Sequence, residues 1–306
     1  MGEIEAGFTG NNGFHLAGIV PVAGAKLDFN MPWHDSLMPV AQDFLAVEAA
    51  VYECAVAGCE TIWIVCHKEM QPLIRHRLGD WILDPTSHYR HKYIKYAKSE
   101  QKEIPIYYIP IHPKDRKRRD CLSWSILYGI QRSYHISMLI SKWVAPGKYY
   151  VSFPYGIYPT DLVWQNRLAI SSAELFYLSH EGQTVADGKF LGFTLDASTF
   201  VQFRREIRKG TGAWENAYWS EEERTLKGEK IPVERRFSAR HFGLTNVFGG
   251  AILEDGNVCE IEGYHDISNW DSYCKYIGSD LQKVTKRPFR FKYHEFSKVG
   301  EDKEEE

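Results

Sequence analysis

Between Gly18 and Val65 the chain spells out a β-strand, a helix and a second β-strand, and no other stretch constrains the fold as much. An apolar run, Gly18-Ile-Val-Pro-Val22, breaks at Ala23-Gly24. After a loop through Met31 to Val40, residues Phe44, Val47, Val51, Cys54 and Ala55 recur at helical spacing and give one apolar stripe, with Gln42, Glu48 and Glu53 expected on the remaining surface. Gly58 is the expected helix stop. Ile62 to Val65 is short and β-branched, as a strand covered on both faces is. Such a βαβ unit makes a parallel sheet, so the class is α/β. A glycine just past the first strand lets backbone approach a ligand, and open α/β sheets bind ligands beyond the carboxyl ends of their strands. Val22, Ala23, Gly24, Ala25 and Lys26 are therefore candidate nucleotide or phosphate contacts, and a plain tight turn is the competing reading.

Three segments, Gly18-Ile-Val-Pro-Val-Ala-Gly-Ala-Lys-Leu27, Leu37-Met-Pro-Val40 and Glu48 through Val65, together resemble the N-terminal part of the sugar-phosphate nucleotidyltransferases. Those enzymes join a nucleoside triphosphate to a sugar 1-phosphate and release pyrophosphate. The resemblance is best over residues 18–66 and weaker at 149–163, 188–203 and 263–277. It implies a Rossmann-like nucleotide-diphospho-sugar transferase fold, with a mixed, mostly parallel sheet flanked by helices. It also implies magnesium (Mg2+) as cofactor, and a nucleoside triphosphate and a sugar phosphate as partners.

Residue by residue, the match has gaps. Lys26 stands where the family has an arginine and is the implied catalytic phosphate contact, a point charge in place of a bidentate fork. Asp35 stands where the family has a lysine. The strand Tyr149 to Phe153 runs, in the family, into a Gly-Asp pair whose carboxylate binds magnesium; here Phe153-Pro-Tyr-Gly156 follows, and Asp161 is the nearest acid in sequence. Gly263 to Tyr273 resembles the closing motif, which makes Asp266 the second implied magnesium ligand. N-terminal capping of a helix over Asp271 to Ile277 is the competing role for that residue. The Glu-Lys-Pro motif that precedes the 188–203 segment in the family is absent. Magnesium needs one or two carboxylates besides phosphate oxygens and water, so the loss of an acid bears directly on catalysis.

Two basic stretches lie outside the resemblance. Ser87 to Tyr96 interleaves Tyr, His, Lys and Arg as a single-stranded nucleic-acid surface would, within an insertion near 84–103. The run Lys114 to Arg119 falls in a loop between the strand Ile104 to Ile111 and a helix over Ser123 to Ser141, which makes Arg116, Arg118 and Arg119 candidate phosphate contacts. The net charge of −3 argues against nucleic acid as the general partner and for two solvated loops. A second insertion, 209–236, reads as an irregular excursion, a lid or a subunit contact, with a solvated helix as the alternative.

With 306 residues, 44% of them hydrophobic, the chain suits one α/β domain over 18–296, preceded by an arm over 1–17 and followed by an acidic tail over 297–306. No apolar run reaches the roughly 20 residues a membrane crossing needs, and Met1-Gly-Glu-Ile-Glu5 lacks the basic start and apolar core expected of a signal peptide. A cytoplasmic protein without a membrane partner is expected. The six cysteines form no Cys-x-x-Cys pair and are expected as buried free thiols, with disulfides or a zinc site as the alternative. Three functions stay open: a divergent nucleotidyltransferase, a catalytically silent relative that binds or builds, and a nucleic-acid-binding protein. A homo-oligomer is compatible with any of them.

Overall fold

The computed structural model describes residues 15–25, 30–85, 103–218, 239, 242–249 and 256–288, of which 117, 118, 143 and 208–218 are described by backbone alone. The first strand, β1 (Leu16–Pro21), is followed by β2 (Pro39–Ala41), β3 (Phe44–Leu45) and α1 (Ala46–Ala57). Then come β4 (Thr61–Cys66), α2 (Gln71–Leu78), β5 (Trp81–Leu83) and β6 (Glu103–Pro110). The middle of the chain supplies α3 (Pro113–Arg118), α4 (Leu122–Ile140), β7 (Lys148–Val151), β8 (Gly156–Ile157), α5 (Asp161–Gln165) and α6 (Arg167–Ile170). The rest is β9 (Leu175–Ser179), β10 (Phe193–Leu195), α7 (Ala197–Tyr218), α8 (Thr245–Phe248), β11 (Gly256–Glu260), β12 (His265–Asp266), α9 (Trp270–Ile277) and α10 (Asp280–Val284).

Eight strands form one sheet in the order β11-β9-β10-β7-β1-β4-β6-β5. Its centre, β7-β1-β4-β6, is parallel throughout. β10 runs antiparallel to β7 and β9, and β5 antiparallel to β6, while β11 is parallel to β9. The sheet is thus mixed and mostly parallel, as expected. Strand alternation sorts the core onto its two faces. Ala17, Ile19, Trp63 and Val65 pack with α4, α7 and α8, whereas Leu16, Val20, Ile62 and Ile64 pack with α1 and α2. A third apolar cluster joins Met38, Val40 and Phe44 to Ile157, Ile267, Tyr273 and Tyr276, so the segment after β1 and the C-terminal helix share one small core.

Several expectations change. β1 begins at Leu16, inside the expected arm, because Leu16 already pairs with Lys148 in the ladder. Phe44 belongs to β3 and not to the helix. Glu48 and Glu53 are buried, since α1 lies against both the sheet and neighbouring helices and ten of its twelve residues are buried. Lys114 to Arg118 belongs to helix α3 with Pro113 in its first turn, where a missing N–H costs nothing, and is not a loop. Residues 209–218 continue α7 instead of forming an irregular excursion. The aromatic-basic stretch 87–96 and residues 219–236 lie outside the described residues. Cys54, Cys59, Cys66 and Cys121 are buried free thiols, whereas Cys259 is half-buried and Cys274 exposed. No helix among the described residues is long and apolar enough to cross a membrane.

Candidate functional site

The central parallel strands end together at one edge, and the turn after β1 is anchored there from both sides. Val22 N and Ala23 N donate to Val65 O at 2.8 and 3.0 Å, continuing the pairing with β4 past the strand end. Val22 O accepts from Tyr155 Oη at 2.8 Å, and Ala23 O accepts from Ser125 Oγ at 2.6 Å. Gly24 follows at φ +84°, and a Cβ placed on it would sit 2.4 Å from the Cys121 backbone carbon. Only glycine combines that dihedral with that approach. Val22 and Ala23 are buried, whereas Gly24 and Ala25 are half-exposed. Lys26 lies outside the described residues.

Beyond β7 the chain runs through Phe153-Pro-Tyr-Gly156, which has no acid where the resembling family carries one, and so reaches Tyr155. The side chain is fully buried, its hydroxyl is committed to Val22 O, and burial first and the charge of Asp35 second push its pKa up. Immediately after it, Gly156 in β8 pairs with Asp266 in β12, and Ile267 N donates to Tyr155 O at 2.8 Å. A Cβ on Gly156 would lie 2.0 Å from Phe190 O, so the pairing depends on that glycine. Asp266 is thereby held beside Gly156, in the segment that follows β7, although the two are far apart in sequence. Its Oδ1 accepts from Ser268 N at 2.8 Å, and the capping of α9 falls to Asn269, whose Oδ1 accepts from Ser272 N at 3.0 Å. Asp161 is the exposed first residue of α5, a helix packed on α1.

Around Asp266 stand residues that sequence reasoning missed. Lys189 Nζ lies 5.6 Å from the centre of the Tyr264 ring, and the His180 ring centre 5.5 Å from it. Burial, with a smaller push from Asp266, raises the pKa of the Tyr264 hydroxyl, and burial together with His180 holds the His265 imidazole below its usual value. No motif marks these positions, because Lys189 and Tyr264 meet only once β8 and β12 have paired.

The burial of Asp35 was also missed. It opens a short 3-10 turn over Asp35–Leu37 that runs into β2, and only 1% of it is exposed. Oδ1 accepts from Ser36 N at 2.9 Å and lies 3.0 Å from His34 Nδ1. Among the described residues Oδ2 has no hydrogen-bond partner. Tyr273 Oη donates to Pro39 O at 2.9 Å and Tyr276 Oη to Val40 O at 2.7 Å, which ties this segment to α9, three residues beyond the β12 loop that carries Asp266.

At the ends of β4 and β6, His67 Nε2 lies 3.0 Å from Asp120 Oδ1. Arg116 Nη1 donates to Glu69 Oε1 at 2.6 Å; Arg119 lies 4.0 Å from Asp115 Oδ1, with its guanidinium 4.6 Å from the Trp124 ring centre. Both guanidiniums therefore face acids of this chain, and the Arg118 side chain lies outside the described residues. Among the described residues no three His, Cys, Asp or Glu side chains gather to hold a metal ion. Magnesium does not require three: one or two carboxylates with phosphate oxygens and water satisfy it, and the half-exposed Asp266 is a donor of that kind, whereas Asp35 is buried.

No protein-family model and no curated protein matches the chain. Solved structures do. A Bacillus anthracis protein provisionally named a glucose-1-phosphate thymidylyltransferase, solved with sucrose bound, superposes with a TM-score of 0.53 at 11% identity over 90% of this chain and 98% of its own. A Mycobacterium tuberculosis protein gives 0.44 at 10% identity, covering 88% of this chain and 100% of its own. A nucleoside-diphosphate-sugar pyrophosphorylase from Vibrio cholerae gives 0.45 at 10% identity, covering 86% and 100%. The fold argument rests on the first of these. The chain has a nucleotidyltransferase-like fold, a large, mostly parallel sheet flanked by helices.

Proposed function

We propose that this chain is a divergent nucleotidyltransferase that joins a nucleoside triphosphate to a sugar 1-phosphate and releases pyrophosphate. The observation that supports the reading is the β8–β12 pairing, in which Asp266 lies opposite Gly156, next to the Tyr155 whose hydroxyl binds Val22 O in the turn after β1. In this reaction a phosphate oxygen of the sugar attacks the α-phosphorus and the bond to the pyrophosphate oxygen breaks, so the protein's tasks are alignment and charge. Gly24 and Ala25 present backbone to the triphosphate. Tyr155, by binding Val22 O, fixes that turn relative to β8 and hence to Asp266. Magnesium, when bound, supplies neutralisation of the phosphate charge, and Asp266 is the carboxylate this reading gives it. Asp161, on the helix layer over α1, has no part in it, and Lys26 remains the phosphate contact the resemblance implies.

A second reading, binding of the same ligands without turnover, is favoured by one observation. The stretch after β7, Phe153-Pro-Tyr-Gly156, carries no acid, and its Tyr155 is buried with the hydroxyl already engaged. Pyrophosphate release by the purified protein, with magnesium, each nucleoside triphosphate and a panel of sugar 1-phosphates, separates the two. Release that needs both substrates and falls at least a hundredfold in Asp266→Asn is expected; a folded protein that binds a triphosphate and releases nothing supports the silent reading.

A further inference from the structure

Lys189 and His180 stand near the β8–β12 pair, and the reaction proposed above uses neither. Both are half-buried and reachable by a ligand. The Lys189 ammonium lies 5.6 Å from the centre of the Tyr264 ring, and that ring is the partner of its charge among the described residues. Neighbouring acids are engaged elsewhere. Asp187 accepts from Thr184 N at 2.9 Å, and Glu260 accepts from Ser179 Oγ and Glu181 N, each at 2.5 Å. His180 Nδ1 donates to Ile261 O at 3.0 Å; a carbonyl only accepts, so in the neutral imidazole the proton sits on Nδ1 and Nε2 keeps its lone pair. The Tyr264 ring, 5.5 Å from that of His180, is held in place: its hydroxyl accepts from Phe190 N at 3.2 Å. A Cβ on Gly156, the residue opposite Asp266, would lie 3.0 Å from Tyr264 Cε2, so the ring packs over that pair.

These groups call for a ligand of definite chemistry. An ammonium without an acid attracts an anion, and an imidazole lone pair accepts from a hydroxyl. Hydroxyl and acid on one small ligand describe an acidic sugar. With the reacting phosphate at Asp266, Lys189 stands one aromatic ring away, a breadth that a pyranose also has, so the anion it meets is a second one at the other end of the sugar. A single ammonium matches the single charge of a carboxylate; a phosphate gathers several donors. We propose that the acceptor is a sugar 1-phosphate that carries a carboxylate, with Lys189 Nζ pairing the carboxylate and His180 Nε2 accepting from a hydroxyl beside it. The inference rests on the nucleotidyltransferase reading for the position of the reacting phosphate.

The test is calorimetric titration of the full chain with three matched pairs of sugar 1-phosphates, glucose and glucuronate, galactose and galacturonate, mannose and mannuronate, in the wild type and Lys189→Gln. In at least one pair the wild type should bind the acid roughly tenfold or more tighter than its neutral partner, the worth of one charged hydrogen bond, and Lys189→Gln should remove most of that preference. Glucose 1,6-bisphosphate serves as the control for a second phosphate. Wild-type protein that binds none of these ligands, or that binds acid and neutral members of every pair equally, overturns the proposal whatever the variant does. An equal loss for both members in Lys189→Gln places Lys189 on the phosphate they share and overturns it too, as does tighter binding of the bisphosphate than of any acid sugar. Pyrophosphate release on the same samples keeps the two claims apart. A preference for acid sugars that depends on Lys189, without release, removes the transferase reading alone; release with no preference in any pair removes this inference alone.

Discussion

Glu53 shows what a single polar side chain can do inside this fold. It is buried on α1, and three hydroxyls converge on it: Tyr150 Oη and Tyr158 Oη donate to Oε1 at 2.6 and 2.7 Å, and Ser152 Oγ donates to Oε2 at 2.9 Å. Burial raises its pKa from 4.5 to about 7, the hydroxyls pulling the other way. The folded protein therefore holds this proton more tightly than the unfolded chain does. The resulting stabilisation is fully present below pH 4.5 and is lost as the pH rises through about 7. Its size is on the order of 3 kcal/mol. Denaturant unfolding at pH 4.5 to 8 should show wild-type stability falling over that range, and Glu53→Gln should remove most of the slope; parallel curves for the two proteins would contradict the assignment. Glu53→Ala should cost about 3 kcal/mol or more at any pH, because it strands hydroxyls that have no water to turn to.

Elements are held together by similar buried contacts. Glu48 accepts from Leu45 N at 2.7 Å, closing the first turn of α1, and from Arg77 Nε of α2 at 2.8 Å. Removing the guanidinium leaves a carboxylate with 0% exposure held by Leu45 N alone, so Arg77→Ala should lose about 1–3 kcal/mol in urea unfolding, the cost of depriving a buried acceptor of one donor. A loss under about 0.5 kcal/mol, the size of a surface pair, would show that Glu48 is reached by water. At the β1 turn, Gly24→Ala should lower the melting temperature and weaken triphosphate binding together, because the φ of +84° and the Cys121 backbone both oppose a Cβ. The β1-α1-β4 unit was legible because the apolar period switches from strand to helix and back and a glycine stops the helix at Gly58, which adopts φ +98°. The burial of Glu48 and Glu53 was not legible, since an acid in a helical pattern reads as solvent-facing until α2 and β7 are seen to cover it. Nor was the capping of α9 by Asn269, which sits between two other capable residues, Asp266 and Asp271.

Across the whole molecule, the sheet order explains which parts of the site could be read in advance. Everything at the carboxyl ends of the central parallel strands follows from βα order, and the candidate turn Val22–Ala25 was found that way. Asp266 could be named only through family resemblance, because its partner strand β8 and its own strand β12 are two residues each and carry no periodicity. Asp35 was seen as a departure from the family pattern and nothing more, because nothing in a short turn leading into a three-residue strand indicates that a carboxylate will be buried there. The same topology gives the basic run on α3 its limited scope, since Arg116 and Arg119 both face acids of the chain itself.

The central claim is that the working surface is the carboxyl edge of β1, β4, β6 and β7. Hydrogen–deuterium exchange of the full chain, with and without a magnesium nucleoside triphosphate, tests it most directly. Protection should appear at the turn after β1, at the 35–41 segment and at the β8–β12 pair, with α5 and α6 unchanged. Absence of protection at that edge under saturating ligand, or protection confined to the 113–119 region, would contradict it.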